Sequence, residues 1–365
     1  MRKTRVGLVG YGRFGRIHVK ALSQIPEAEL AAVCAGSERS FQEAKNDLGV
    51  PVFLDYSCFL RDADIDSVDI VTPNYTHAKL AQEALSAGKN VYLEKPIATS
   101  LEEARKIVDA QRCSKRILQI GFENRYSSFW KTIKTILERG DIGVPLFGKI
   151  DSWRFPLRGG SQNWKYDRQK VGHQLLEEAI HYVDLANWLF DTKPLTVSGF
   201  MGDQESLATG HLKNAFFVIE FEKEKKVLIT DNLQGFGSDL SFTISGENGT
   251  MTGAVRSESD DSENPESYLK LRDRNDKTST TNIRLSGQLA DLTAAMADFV
   301  HAVQTEGKAH VTVEDGFASL AICKAALESM KSGKAERVNP YWIERESNRY
   351  PFTVGNIANM KERTG

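Results

Sequence analysis

Short apolar runs alternate with amphipathic stretches over the first third of the chain. Residues 5–9 form one such run. Phe14, Ile17, Ala21, Leu22 and Ile25 then recur at the spacing of one helical face until Pro26 stops them. Residues 29–34 read as a second strand and 40–48 as a helix closed by Gly49. Residues 68–72 read as a strand and 76–87 as a helix capped by Gly88. After a strand at 90–93, Ser100 and Glu103 make a capping box for a helix running to about Arg112, and 117–120 closes the series. Strands alternating with helices at this spacing predict a parallel sheet covered on both faces, an α/β doubly wound domain over residues 1–122. The pattern then changes. Residues 216–221, 226–231 and 240–245 alternate or are briefly apolar, as antiparallel strands do, and 246–249 is a hairpin turn. Residues 289–303 and 314–330 are amphipathic helices, and 256–267 is too polar for anything but a loop.

Composition narrows the class without naming it. A length of 365 residues predicts roughly two domains of ~150 residues each. A net charge of −2 gives no global field to draw in nucleic acid or an anionic membrane. No apolar run approaches the ~20 residues of a membrane span, and the basic start Met1–Arg5 is followed by too short an apolar stretch for a signal peptide. Cys34, Cys58, Cys113 and Cys323 are far apart, with no CxxC. A reduced, cytoplasmic chain is expected.

The first candidate chemistry is the turn between the first strand and helix, Gly10-Tyr11-Gly12-Arg13-Phe14-Gly15. Strand, glycine turn and helix in that order are the setting of a dinucleotide fingerprint. Gly10 permits the tight turn, Gly12 lets the backbone approach a pyrophosphate, and Gly15 lets helix and strand pack closely. The free N–H groups of the helix start complete the anion site. An NAD site usually carries a carboxylate about 20 residues on, but this strand ends in Ala35 and Gly36. Ser37 and Arg39 could instead hold a 2′-phosphate, so NADP(H) is favoured; NAD(H) stays open if Glu38 serves the ribose and Ser37 merely caps a helix.

Two further segments carry a family resemblance. One is Val71-Thr72-Pro73-Asn74-Tyr75-Thr76-His77, with Ala87-Gly88-Lys89-Asn90-Val91-Tyr92-Leu93-Glu94-Lys95-Pro96 after it. The other is Trp164 followed by Leu175-Leu176-Glu177-Glu178-Ala179-Ile180-His181-Tyr182-Val183-Asp184. With the glycine turn, these resemble the glucose-fructose oxidoreductase / inositol 2-dehydrogenase (Gfo/Idh/MocA) family from about residue 4 to about 335, most strongly through 126. The resemblance implies a Rossmann domain and an α+β substrate-binding domain over 123–335. The second domain would have an open, mostly antiparallel sheet that supports a homodimer or homotetramer. It also implies hydride transfer between nicotinamide and a sugar, cyclitol or keto-sugar. Thr72, Pro73, Asn74 and His77 would border the cofactor, and Glu94 the nicotinamide ribose, while His77 also suits a packing role at the helix start. Residues 336–365 lie beyond the resemblance and are expected to pack on their own or a neighbouring subunit.

Lys95, at the carboxyl end of a parallel strand, is where an open α/β sheet binds ligands, and it could stabilise charge on a reacting oxygen. Pro96 is a candidate for a cis bond. His173, Glu177, His181 and Asp184 recur at helical spacing and would share a strip roughly 80° wide on one helix. His181 matches the family's proton-transferring histidine, and Glu177 stands where the family often has Asp. His173 and Ala179 replace small residues or glycine, which puts the substrate in doubt more than the reaction. A metal held by His173, Glu177 and His181 together is not expected, because three such ligands spread over about 10 Å of helix. Arg125 and Tyr126 either line the cleft or anchor the hinge, and Trp164 either covers the nicotinamide or sugar face or is core. The expected function is therefore an NAD(P)-dependent oxidoreductase with Lys95, His181 and Glu177 at the reacting group. The alternative is a non-catalytic sensor of NAD(P) or a metabolite on the same fold.

Overall fold

The structure, a computed structural model, describes residues 2–156, 161–201, 214–235, 237–257, 266–273, 278–281 and 289–339. Most of the polar loop at 256–267 and most of the 336–365 tail therefore lie outside the described residues. The first sheet comprises β1 (Thr4–Val9), β2 (Ala28–Cys34), β3 (Val52–Phe53), β4 (Ser67–Ile70), β5 (Asn90–Glu94) and β6 (Leu118–Gly121). Its order is β3-β2-β1-β4-β5-β6 with every pairing parallel. The strand order reverses between β1 and β4, so a crevice opens beyond their carboxyl ends. Register puts Val9 beside Ile70 and Ile70 beside Leu93, so Gly10, Val71 and Glu94 lie level at the carboxyl edge of the sheet.

The helices of this half are α1 (Arg13–Leu22), α2 (Glu38–Asp47), α3 (Tyr56–Asp62), α4 (His77–Ser86) and α5 (Leu101–Ser114). Of the face that apolar spacing predicts for α1, Ala21, Leu22 and the following Ile25 are buried, but its first two members are not. Phe14 and Ile17 are exposed, while Gly15, His18, Ala21 and Leu22 face inward. The close approach at Gly15 decides this: a Cβ there would sit 2.0 Å from the Gly10 carbonyl oxygen, so the glycine edge must face the strand. His18, one turn further on, is carried inside with it.

After a 3-10 turn at Glu123–Tyr126 come α6 (Ser128–Arg139), β7 (Pro145–Trp153), α7 (Arg168–Val171) and α8 (Ala179–Phe190). Strands β8 (Pro194–Met201), β9 (Asn214–Phe221), β10 (Lys226–Asn232), β11 (Ser238–Gly246), β12 (Gly249–Ser257), β13 (Glu266–Asp273) and β14 (Thr278–Thr281) follow. They precede α9 (Leu292–Thr305), α10 (Val313–Ser332) and β15 (Glu336–Arg337). The second sheet runs β14-β13-β12-β11-β7-β10-β9-β8-β15 and is antiparallel except between β7 and β10. Helix α8 lies against β7 and β10, and α10 against β8. Phe129 and Trp130 of α6 pack on Phe242 of β11. The late helices also reach back to the first sheet: α9 covers α1 and α10 meets α5 and β6. One continuous apolar cluster accordingly includes residues of both sheets. No described helix is long and apolar enough to cross a membrane.

Candidate active site

The glycine turn has the cradle shape a dinucleotide requires. Gly10 has φ 102°, and a Cβ there would lie 2.3 Å from the Val71 carbonyl oxygen, so no L side chain fits. A Cβ on Gly12 would meet nothing within 4 Å, leaving open space at the start of α1, where no side chain caps the helix. The arrangement fits a pyrophosphate on backbone N–H groups. Around it, Tyr11 is buried with its hydroxyl donating to Asp47 at 3.0 Å, and the Arg16 guanidinium lies over its ring. Arg13 and Phe14 are exposed at the mouth of the turn. Ser37 is the N-cap of α2, its Oγ accepting from the Ser40 N–H at 3.2 Å. Arg39, its side chain 88 % exposed, pairs with Glu43 at 2.8 Å. Both thus have local roles in α2, and no carboxylate stands at Ala35 or Gly36.

The turn after β4 crosses to the second half of the chain. The Asn74 side-chain amide donates to Glu177 Oε1 at 2.6 Å and to the Val171 carbonyl at 3.1 Å. Thr72 Oγ1 is 2.6 Å from Thr76 Oγ1, and Thr76 donates to the Pro73 carbonyl at 2.7 Å. His77 is wholly buried between the carbonyl oxygens of Pro96 (2.7 Å) and Thr72 (2.9 Å), which ties this turn to the one after β5. Burial pushes its pKa below the usual value, and both of its ring nitrogens are taken up by these carbonyls, so it ties the two turns together.

The Lys95–Pro96 bond is cis, and the Lys95 ammonium donates to the Glu177 carbonyl at 2.7 Å. Burial opposes its charge, but the surrounding Glu177, Glu94, Glu123 and Glu178 outweigh burial and hold its pKa above the usual value. The Glu177 carboxylate is buried against that cost by Lys95, Lys165 and Asn74, with Lys165 Nζ at 2.6 Å, and its pKa falls to about 2. It stays ionised throughout the physiological range. His181 is the opposite case: burial, then the positive charges of Lys95 and Arg154, push its pKa down to about 3 against the pull of Glu178 and Glu177. Its Nδ1 is buried with no hydrogen-bond partner among the described residues, its ring lies edge-on to Phe122, and its backbone N–H donates to the Glu178 carbonyl at 3.0 Å.

The single helical strip predicted for 173–184 is not formed. Gly172 takes φ 79°, His173 is extended, Gln174–Leu176 is one 3-10 turn, and α8 begins only at Ala179. Glu177 still meets Lys95 through its carbonyl, and His181 lies within reach of the Lys95 charge. His173 does not join them. Its Nδ1 accepts from the Leu175 N–H at 3.2 Å as the cap of the 3-10 turn. Burial, then Lys324, Arg168 and Lys331, drive its pKa to about 3, so its charged neighbours are those of α7 and α10. The bulk that suggested a substrate contact is used to fill this turn. Arg125 and Tyr126 make the contacts of an anchor. Arg125 donates to Asp184 at 2.7 Å and to Asp315 at 3.1 Å, all three buried, and Tyr126 donates to Asp298 at 2.7 Å. Asp184 is likewise taken up by this ion pair. Trp164 is half-buried in a 3-10 segment with Lys165 Nζ 5.6 Å from its ring centroid, beside the lysine that holds Glu177. Glu94 turns inward, its Oε1 3.4 Å from His18 Nε2.

Sequence reasoning missed Glu178. It is buried, pairs with Arg154, and accepts from the Tyr182 hydroxyl at 3.0 Å, which in turn accepts from Ser152 Oγ at 2.9 Å. Asp231 lies beside it; burial and then the Glu178 charge raise its pKa well above the carboxylate range. A second glutamate next to Glu177 within an otherwise apolar run was the available signal.

Comparison with known proteins places this geometry. Residues 4–122 match the model of the oxidoreductase family NAD-binding Rossmann fold, and 134–339 that of the same family's C-terminal alpha/beta domain. The uncharacterized oxidoreductase YrbE of Bacillus subtilis is 30% identical over 249 residues, 67% of this chain and 72% of its own. Inositol 2-dehydrogenase 3 of Saccharopolyspora erythraea is 26% identical, covering 90% of this chain and 94% of that one. The crystal structure of an oxidoreductase domain protein from Kribbella flavida superposes with a TM-score of 0.80 at 20% identity, over 93% of this chain and 100% of its own. That of myo-inositol 2-dehydrogenase from Lactobacillus plantarum does so with a TM-score of 0.76 at 24% identity, over 93% and 100%. The chain belongs to the Gfo/Idh/MocA family of NAD-binding oxidoreductases.

Proposed function

We propose that this chain oxidises a secondary hydroxyl of a cyclitol or sugar, or reduces the corresponding ketone. The observation that carries this reading is a half-buried, charged Lys95 at the carboxyl end of β5 together with a buried His181 of α8 whose pKa the Lys95 charge helps to depress. The inositol dehydrogenases among its relatives support the substrate class. A nicotinamide dinucleotide, held by residues 10–15 and bordered by Thr72 and Pro73, supplies the hydride acceptor or donor when bound. Lys95 donates a hydrogen bond to the oxygen on which charge develops. His181 takes the hydroxyl proton in oxidation and returns it in reduction. The two roles are coupled. Negative charge growing beside Lys95 offsets the field that holds the imidazole pKa down, so His181 becomes a better acceptor as the proton leaves. Glu177, fixed by Asn74 and Lys165, holds the Lys95 ammonium in place through its carbonyl and its charge.

Lys95→Met and His181→Ala are each expected to lower kcat by about 10²- to 10⁴-fold while the Kd for the dinucleotide changes by only a few-fold. Near wild-type turnover on the best polyol of a panel, in either variant, overturns the assignment. Tight dinucleotide binding with no turnover by the unaltered protein would favour the sensor.

NADP(H) is the preferred cofactor in this reading. No carboxylate ends β2, and a Cβ on Gly36 would meet nothing within 4 Å, which leaves room for a 2′-phosphate. Gly36→Asp therefore fits sterically and sets a like charge against that phosphate. It is expected to weaken NADPH binding by about 10- to 100-fold and to leave NADH binding intact or improved, read by fluorescence titration. The working form is a homodimer or homotetramer joined through the open face of the second sheet. There Phe147, Trp153, Phe200 and Phe216 are exposed on successive strands, and Phe200 stacks on Phe216.

A further inference from the structure

His18 lies outside every role assigned so far, yet it touches the three elements that present the site. It is 0 % exposed on α1, the helix that begins at the glycine turn. Its Nδ1 is 2.9 Å from Asp69 Oδ2 on β4, the strand leading to residues 72–74. Its Nε2 is 3.4 Å from Oε1 of Glu94, the last residue of β5 and the neighbour of Lys95. Phe14 and Tyr92 close its faces edge-on, with centroids at 4.9 and 5.9 Å, and Phe299 of α9 packs beyond Tyr92. Neither Nε2 nor Glu94 Oε1 has a hydrogen-bond partner among the described residues, so each is the other's only charged complement at this spot. A neutral imidazole carries one N–H and could serve only one of the two carboxylates. The other would face a ring lone pair with no water to relieve it.

We propose that His18 is a positioning residue: as an imidazolium shared between Asp69 and Glu94, it keeps the Glu94 carboxylate turned into the protein and away from the Lys95 ammonium. Without that cation Glu94 has one nearby counter-charge left, Lys95, and would compete with the Glu177 carbonyl and the reacting oxygen for its protons. The ionisable groups facing His18 from the packed elements are Asp69 from β4, Tyr92 and Glu94 from β5, and Glu123 just after β6. Glu123 is itself buried beside Glu94, and burial followed by the Glu94 charge pushes its pKa up to about 8. Burial acts against charge on His18, but Asp69 and Glu94 together outweigh it and raise its pKa to about 10, in keeping with the geometry.

This inference rests on the proposed reaction only for its kinetic consequence, and the test separates the two. Selective ¹⁵N labelling of histidine, with the His18 signals assigned by their loss in His18→Gln, reads both ring nitrogens without any substrate. The expected result is two protonated nitrogens unchanged from pH 6 to pH 9. A neutral tautomer in that range overturns the proposal whether or not the protein turns over a polyol. His18→Gln keeps a polar side chain of similar size but loses the charge. It is expected to lower kcat by about tenfold or more with the dinucleotide Kd nearly unchanged, and a crystal structure of the variant should show Glu94 turned to Lys95. An unmoved Glu94, or a folded variant with unchanged kcat, overturns it as well.

Discussion

Two buried histidines, one beneath the first sheet and one at its carboxyl edge, show how the same side chain is set to opposite states. His18 and His181 are both removed from water, and burial works against charge on each. They differ in their neighbours. His18 sits between two carboxylates, which lift its pKa to about 10. His181 sits near Lys95 and Arg154, which add to burial and bring it to about 3. The first ring has a carboxylate oxygen near each nitrogen, 2.9 Å from Nδ1 and 3.4 Å from Nε2; the second has a buried Nδ1 with no hydrogen-bond partner among the described residues. A permanently charged, doubly tied ring suits a strut. A neutral ring with spare hydrogen-bonding capacity suits a group that must receive a proton.

The sharpest way to break this comparison is to remove one tie from the strut. Asp69→Asn leaves the His18 charge with Glu94 alone, and breaking a buried ion pair of this kind costs about 3–5 kcal/mol. His181→Gln removes a group whose Nδ1 had no partner, so its expected cost is below about 1 kcal/mol. Urea unfolding at pH 7 measures both. Equal losses would mean that the two rings are not differently held.

A smaller effect separates them by pH. Between the unfolded value of 6.5 and about 10, folded His18 keeps a proton that the unfolded chain releases. Its stabilising contribution is complete below pH 6.5 and is lost as pH rises through about 10. His181 has the reverse sign for a base. Between pH 6.5 and about 3 the unfolded chain takes up a proton that the folded ring refuses, so stability falls as pH falls through that window. Each slope has a ceiling of about 1.4 kcal/mol per pH unit. Unfolding midpoints across pH 4–10 should show His181→Gln flattening the acid side alone and His18→Gln the alkaline side alone.

Much of this contrast was legible in the sequence, but only its local part. The glycine turn, Lys95 after a strand and the helix cap at Ser100 are signals written within a few residues, and the parallel sheet follows from strands and helices taking turns. The 3-10 break at 173–178 was not legible. A helical spacing of His173, Glu177 and His181 looks the same whether the helix starts at 171 or at 179, and the Gly172 φ of 79° is a tertiary choice. His18 was hidden for a related reason. Apolar periodicity assigned the inner face of α1 to Phe14, Ile17, Ala21, Leu22 and Ile25, whereas the contact at Gly15 turned the first turn of the helix so that a histidine went inside in place of Phe14 and Ile17. Its partners Asp69 and Glu94 come from strands about 50 and 75 residues further along the chain, a pairing that only the sheet order creates.

The finest adjustment lies around His181, where Glu178 raises the pKa of the ring and Arg154 lowers it. These two side chains form an ion pair with each other, so removing either one changes the ring twice. Glu178→Gln deletes the larger of the raising charges while Arg154 still lowers the ring, which drives the imidazole further down and makes it a weaker proton acceptor. Arg154→Gln does the reverse, and the double variant should fall between them. The expected change in kcat for Glu178→Gln is a loss of about 3- to 10-fold, on the scale of Brønsted dependence in general base catalysis. Asp231 supplies an internal control, because its raised pKa owes part of its shift to Glu178 and must fall back toward the ordinary carboxylate value in Glu178→Gln. Carboxyl ¹³C titration of Asp231 and ¹⁵N titration of His181 in one sample would then move in the same direction. A fall at Asp231 with His181 unmoved would show that the Glu178 charge does not reach the imidazole, leaving burial and the other charges to set it.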